Sequence, residues 1–128
     1  MAAPLLALLR ERFADPQAPR VTLLVGHDSN IGSVLAALGV ADYRLPGQYE
    51  KTPIGGVLRI ERWRQARTGA ERMQLVYVYP TDAQLREATP LDADHPPGRV
   101  VLTVPGCGGP SCRWPQFLER LDAAVPAR

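Results

Sequence analysis

At 128 residues and 45% hydrophobic side chains, the chain has enough apolar material for one core and one domain. Fifteen basic against 13 acidic residues leave a formal net charge of +2, which gives no reason to expect a nucleic-acid partner. No stretch is long and apolar enough to span a bilayer, so no membrane partner is expected either. Thirteen prolines and 11 glycines fall mostly between periodic segments, which points to ordered loops rather than disorder.

The first ten residues hold a short apolar run. It lacks a basic start and is interrupted by Arg10, Glu11 and Arg12, so it does not read as a signal peptide. Leu5, Leu6, Leu9 and Phe13 recur at helical spacing and predict an amphipathic helix over Pro4–Ala14, packed on a sheet. Pro16 and Pro19 end it. Val21–Val25 is apolar on both faces, the pattern of a central strand in a parallel sheet covered by helices. Ile31, Val34, Leu35 and Leu38 then predict a helix, with Ser29 or Asn30 as its cap and Gly39 as its stop.

Gly26-His27-Asp28-Ser29-Asn30 therefore stands where a strand ends and a helix begins. Ligands of open α/β sheets bind beyond such strand ends. The helix start offers unpaired N–H groups and a positive dipole end, which favour an anion such as phosphate. A histidine there can donate hydrogen bonds to an anionic oxygen, and an aspartic acid can protonate a leaving oxygen. The pattern suits phosphate-ester chemistry. The bland alternative is that Asp28 only caps the helix.

Tyr43–Gly56 reads as loop. Val57–Trp63 and Met73–Tyr79 read as a hairpin turning near Thr68-Gly69-Ala70. Thr81–Ala88 fits neither template. Pro96-Pro97-Gly98 is a turn, Val100–Val104 a strand, and Trp114–Val125 a helix with the stripe Phe117, Leu118, Leu121, Val125. Arg59, Arg62, Arg64 and Arg67 read as a solvated face of the hairpin. His95 precedes two prolines in a surface turn and is not expected to be a nucleophile. Cys107 and Cys112 have C-x4-C spacing, which is not the C-x2-C of redox motifs. With only His27 and His95 as histidines, a metal site lacks ligands. The pair is either a disulfide or two free thiols, and composition favours the disulfide, which implies an oxidising compartment.

The topology raises a difficulty. A central parallel strand needs neighbours, and only one helix–strand–helix unit precedes the hairpin. Either Val21–Val25 is not a strand, or part of the sheet lies outside this chain.

Leu24-Val-Gly-His-Asp-Ser-Asn30 closely resembles the H-D motif of histidine acid phosphatases. Leu45-Pro-Gly-Gln48, Thr52-Pro-x-Gly-Gly56, Glu61-Arg-Trp-Arg64, Thr89-Pro-Leu91, Pro96-Pro-Gly98 and Pro105-Gly-Cys107 look like successive C-terminal landmarks of the bacterial phytase and glucose-1-phosphatase type. They cover the chain from about Val21 onward in the family's order. The resemblance implies a single partial domain over 1–128, part of a mostly parallel α/β sheet flanked by helices, with an added β-hairpin.

It also implies two-step phosphomonoester hydrolysis through a phosphohistidine, without metal or other cofactor. By position, Asp28 is the proton donor, His27 helps hold the phosphate, and Ser29 stands beside the substrate where threonine is common. The cysteine pair resembles a family disulfide. The implied substrate is a sugar phosphate or inositol phosphate, and the implied location is periplasmic or secreted. The family's nucleophile motif, R-H-G-x-R-x-P, does not occur here. The expectation is an acid-phosphatase segment that is inactive alone and completed by a missing N-terminal portion. Met1 then marks a misassigned start, a cloning start or the beginning of a degenerate gene. The alternatives are a non-catalytic module that binds phosphate esters, and a functionless fragment that self-associates.

Overall fold

A computed structural model describes residues 3–40 and 42–125. Met1, weighed above as a start, lies outside the described residues. Helices α1 (Ala3–Ala14) and α2 (Asp28–Ala37) precede strands β1 (Val57–Arg64) and β2 (Glu71–Tyr79). A short α3 (Asp82–Arg86), β3 (Gly98–Leu102), the two-residue β4 (Cys112–Arg113) and α4 (Trp114–Ala124) follow.

β2 organises the sheet. It pairs with β1 along one edge, and with β3 and β4 along the other. Every one of these pairings is antiparallel. The mostly parallel sheet expected from the sequence has no parallel pair among the described residues. The hairpin forms as predicted, with Val57 opposite Val78 and Arg64 opposite Glu71. Gly69 closes its turn at φ +70, where a side chain would be strained, and donates its N–H to the Gln65 carbonyl at 2.8 Å.

Alternation along β2 builds the core. Met73, Leu75, Tyr77 and Tyr79 share one face, and all are buried. They join Val34, Leu35 and Leu38 of the α2 region with Trp114, Phe117 and Leu121 of α4 in one cluster. The predicted stripes of α2 and α4 are therefore the faces that pack. Pro115 fits the first turn of α4, where its missing N–H has no helical partner. The undecided segment after Thr81 is helical because Thr81 and Gln84 cap it reciprocally: Thr81 N–H donates to Gln84 Oε1 at 2.9 Å, and Gln84 N–H to Thr81 Oγ1 at 3.2 Å.

One expectation gains detail and another needs correction. The first helix does form, its main contacts are with α4 and α2, and its Leu6 joins the same buried cluster as the core face of β2. Phe13 sets its ring edge-on to Trp114 at 5.2 Å and to Phe117 at 6.2 Å. The correction concerns Val21–Val25. This segment is not a strand: it runs without a ladder, and Val21 and Val25 are 81% and 91% exposed. A strand exists only where a neighbour offers backbone partners. None of the described residues does so here.

Among the described residues, no helix is long and apolar enough to cross a membrane.

Candidate functional site

The start of α2 is built from its own short sequence. His27, not Ser29 or Asn30, takes the N-cap position, with extended backbone at φ −111, ψ 170. Asn30 works from inside the helix: its Oδ1 accepts the His27 N–H at 2.8 Å, while its own N–H donates to the His27 carbonyl at 3.0 Å. Gly26 makes this possible. A Cβ at that position would lie 2.6 Å from Asn30 Oδ1. Gly26 and Asn30 thus fix the backbone that carries His27. Sequence reading valued the H-D pair and missed these two supports, although G-H-D-x-N contains both.

Asp28 is the first residue of the helix, not its cap. Its Oδ1 accepts the Ser29 N–H at 2.8 Å. Among the described residues no basic side chain pairs with it. An acidic group in the first turn is favoured by the helix dipole. His27, Asp28 and Ser29 are all exposed, and neither of the two clefts noted on the surface, of about 220 and 530 Å3, is lined by them. The structure brings the three predicted residues together by adjacency in the chain.

The remaining candidates separate from this site. Cys107 and Cys112 are joined as a disulfide, with Cα atoms 4.9 Å apart. The bridge leads directly into β4, where Cys112 pairs with Met73 of β2. His95 is in an exposed turn, its Nδ1 3.1 Å from Asp92 Oδ1. Arg62 and Arg64 both bind Glu71, at 2.6 and 3.1 Å, and hold its carboxyl below the usual range, Arg62 most strongly. Arg62 also lies over the Trp114 ring, 4.5 Å from its centroid. Arg59 and Arg99 share Glu61. Arg67 is exposed on the hairpin turn.

The other landmarks are structural. Pro46 O accepts the Tyr79 hydroxyl at 2.7 Å, and Gln48 donates to Pro80 O at 3.0 Å. Gly98 lies flat against the Tyr79 ring, where a Cβ would come within 2.5 Å of Cε2 and Cζ. Gly56 is close as well, since a Cβ there would lie 3.0 Å from both Pro53 O and Tyr77 Cε1.

No protein-family model matches the chain. Glucose-1-phosphatase of Salmonella typhimurium is 45% identical over 112 residues, covering 84% of this chain and 26% of that protein. The phytase of Citrobacter braakii superposes with a TM-score of 0.83 at 27% identity, over 98% of this chain and 35% of that one. Hafnia alvei phytase in complex with myo-inositol hexakis sulphate gives 0.81 at 30% identity, over 98% and 34%. The curated relatives, 37–45% identical to the chain, are histidine acid phosphatases. The chain spans about a quarter to a third of the length of these relatives, consistent with a C-terminal portion of a histidine acid phosphatase.

The likeness over nearly the whole chain assigns the sheet and its flanking helices to the α/β fold of those enzymes.

Proposed function

We propose that this chain carries the proton-donor half of a phosphomonoesterase site. Asp28 would protonate the leaving alcohol, His27 would hold the phosphate with the N–H groups of the α2 start, and Ser29 would stand beside the substrate. The observation that carries this reading is the G-H-D-x-N corner itself, in a chain 45% identical to a glucose-1-phosphatase. The Gly26–Asn30 support fixes the backbone of His27, while among the described residues the Asp28 carboxylate has the Ser29 N–H as its local partner. That leaves the acid available to a leaving oxygen. The substrate class is a sugar phosphate or an inositol phosphate, by analogy with the glucose-1-phosphatase and phytase relatives.

General-acid assistance contributes about 100- to 10,000-fold, and it does not replace a nucleophile and a phosphate clamp. The 128-residue chain carries no R-H-G-x-R-x-P string, so we expect it to be inactive by itself. The disulfide supports an oxidising compartment, periplasmic or secreted.

The assigned role of Asp28 is testable in a chimera. Residues Val21–Val125 replace the matching stretch of the Salmonella typhimurium enzyme, and hydrolysis of glucose 1-phosphate is measured. The chimera should turn over, and Asp28→Asn in it should lower kcat by about 100-fold or more. An active chimera indifferent to Asp28→Asn refutes the assignment.

A second reading, a non-catalytic phosphate-ester-binding module, draws on the same helix start without a nucleophile. Calorimetric titration with inositol hexakisphosphate that gives heat lost in His27→Ala would favour it.

A further inference from the structure

The distal half of the hairpin carries a cleft of about 220 Å3, to which neither His27 nor Asp28 contributes. Trp63, Arg64, Gln65, Arg72, Gln74 and Ser111 line it. Trp63 and Arg72 are directly opposed across the β1–β2 ladder, so their side chains share the face turned away from the core. Trp63 is 55% exposed. A flat aromatic surface is thus presented to solvent beside a fixed guanidinium.

Arg72 differs in charge balance from Arg59, Arg62, Arg64 and Arg99. Arg62 and Arg64 are compensated by Glu71, and Arg59 and Arg99 by Glu61. The Arg72 guanidinium instead donates from Nε to Ser111 Oγ and from Nη2 to the Ser111 carbonyl, both at 2.7 Å. Both acceptors are neutral, and among the described residues no carboxylate pairs with Arg72. Its positive charge is therefore held in place, part-buried, and left uncompensated. Two of the five guanidinium donors are used by Ser111. The others are oriented by the same clamp.

We infer that this cleft binds an anionic sugar, a pyranose carrying a carboxylate or a sulfate or phosphate ester. The indole of Trp63 offers a face for the apolar side of the ring. Gln65 and Gln74 supply amide donors and acceptors suited to hydroxyl groups, and Arg72 meets the anion as a fork. The site is independent of the corner at His27, so it stands or falls separately from the proposed phosphomonoesterase role.

The test is an amide and indole NMR titration of the full chain with D-glucuronate and with glucose 6-sulfate. Glucose and inorganic sulfate serve as controls, since each carries only half of the recognised chemistry. At least one anionic sugar should produce saturable shifts at the Trp63 indole N–H and the Arg72 and Gln74 amides. Each control should bind at least about tenfold more weakly. Trp63→Ala should weaken binding about tenfold with the thermal melt unchanged, and Gln74→Ala should act in the same direction. His27→Ala should bind as the unmodified chain does. The inference is overturned if neither sugar shifts these resonances, if the shifts centre on residues 27–30, or if sulfate alone binds as well.

Discussion

Tyr77 condenses the chemistry of the core into one side chain. It is fully buried, and its hydroxyl is the one buried side-chain polar atom among the described residues without a hydrogen-bond partner. Burial first, and then the neighbouring Tyr43, push its pKa up to about 12. Burial also raises Tyr79 and Tyr43. An unfolded tyrosine loses its proton near pH 10. The folded chain holds that proton longer, so this contribution to stability is complete below pH 10 and is lost as pH rises toward about 12.

Chemical denaturation followed from pH 8 to 12 should show stability falling above about pH 10, with a shallower fall in Tyr77→Phe. At neutral pH that variant should equal the parent or exceed it by up to about 1 kcal/mol, because the hydroxyl removed has no partner. A loss of several kcal/mol would mean that the hydroxyl is bonded. Other single residues were legible in the sequence only as positions in a pattern. The H-D pair could be singled out because its chemistry is specific. Gly98 could not be tied to Tyr79, because that contact joins residues on different strands and depends on the β2–β3 register.

At the level of elements, periodicity worked where a segment packs against the chain itself. The stripes of α2 and α4 and the hairpin followed the 3.6- and 2-residue patterns because their buried faces meet within these residues. Val21–Val25 has as strong a pattern and forms no strand, since local sequence specifies an apolar ribbon but not the presence of its neighbours. β4 could not be anticipated from two residues. It exists because the Cys107–Cys112 bridge and the Arg72–Ser111 clamp hold that loop against β2, directly before α4.

Closing so short a loop is expected to contribute about 2 kcal/mol in the chain-entropy account. Urea unfolding with and without a thiol reductant should therefore differ by about that amount. Paired serine replacements of both cysteines should reproduce the difference. An unchanged midpoint would remove the disulfide from the account of how α4 is held.

On the scale of the whole molecule, the fold and the candidate site are related through the exposed ribbon. Val21, Leu23 and Val25 are largely solvent-exposed and lead straight to His27 and Asp28. An exposed extended apolar segment is prone to pair with another chain, and a proton donor placed at its end depends on what pairs there. The landmarks that made the family legible belong mostly to the well-packed part, where prolines and glycines set turns around Tyr77 and Tyr79. The catalytic expectation rests on the part that is least packed.

In the function proposed above, Asp28 is half of a phosphomonoesterase site and the nucleophile has to come from elsewhere. The most direct measurement is hydrolysis of para-nitrophenyl phosphate at acidic pH by the purified 128-residue chain. No turnover above the uncatalysed background is expected. Robust turnover that disappears in Asp28→Ala would contradict the proposal.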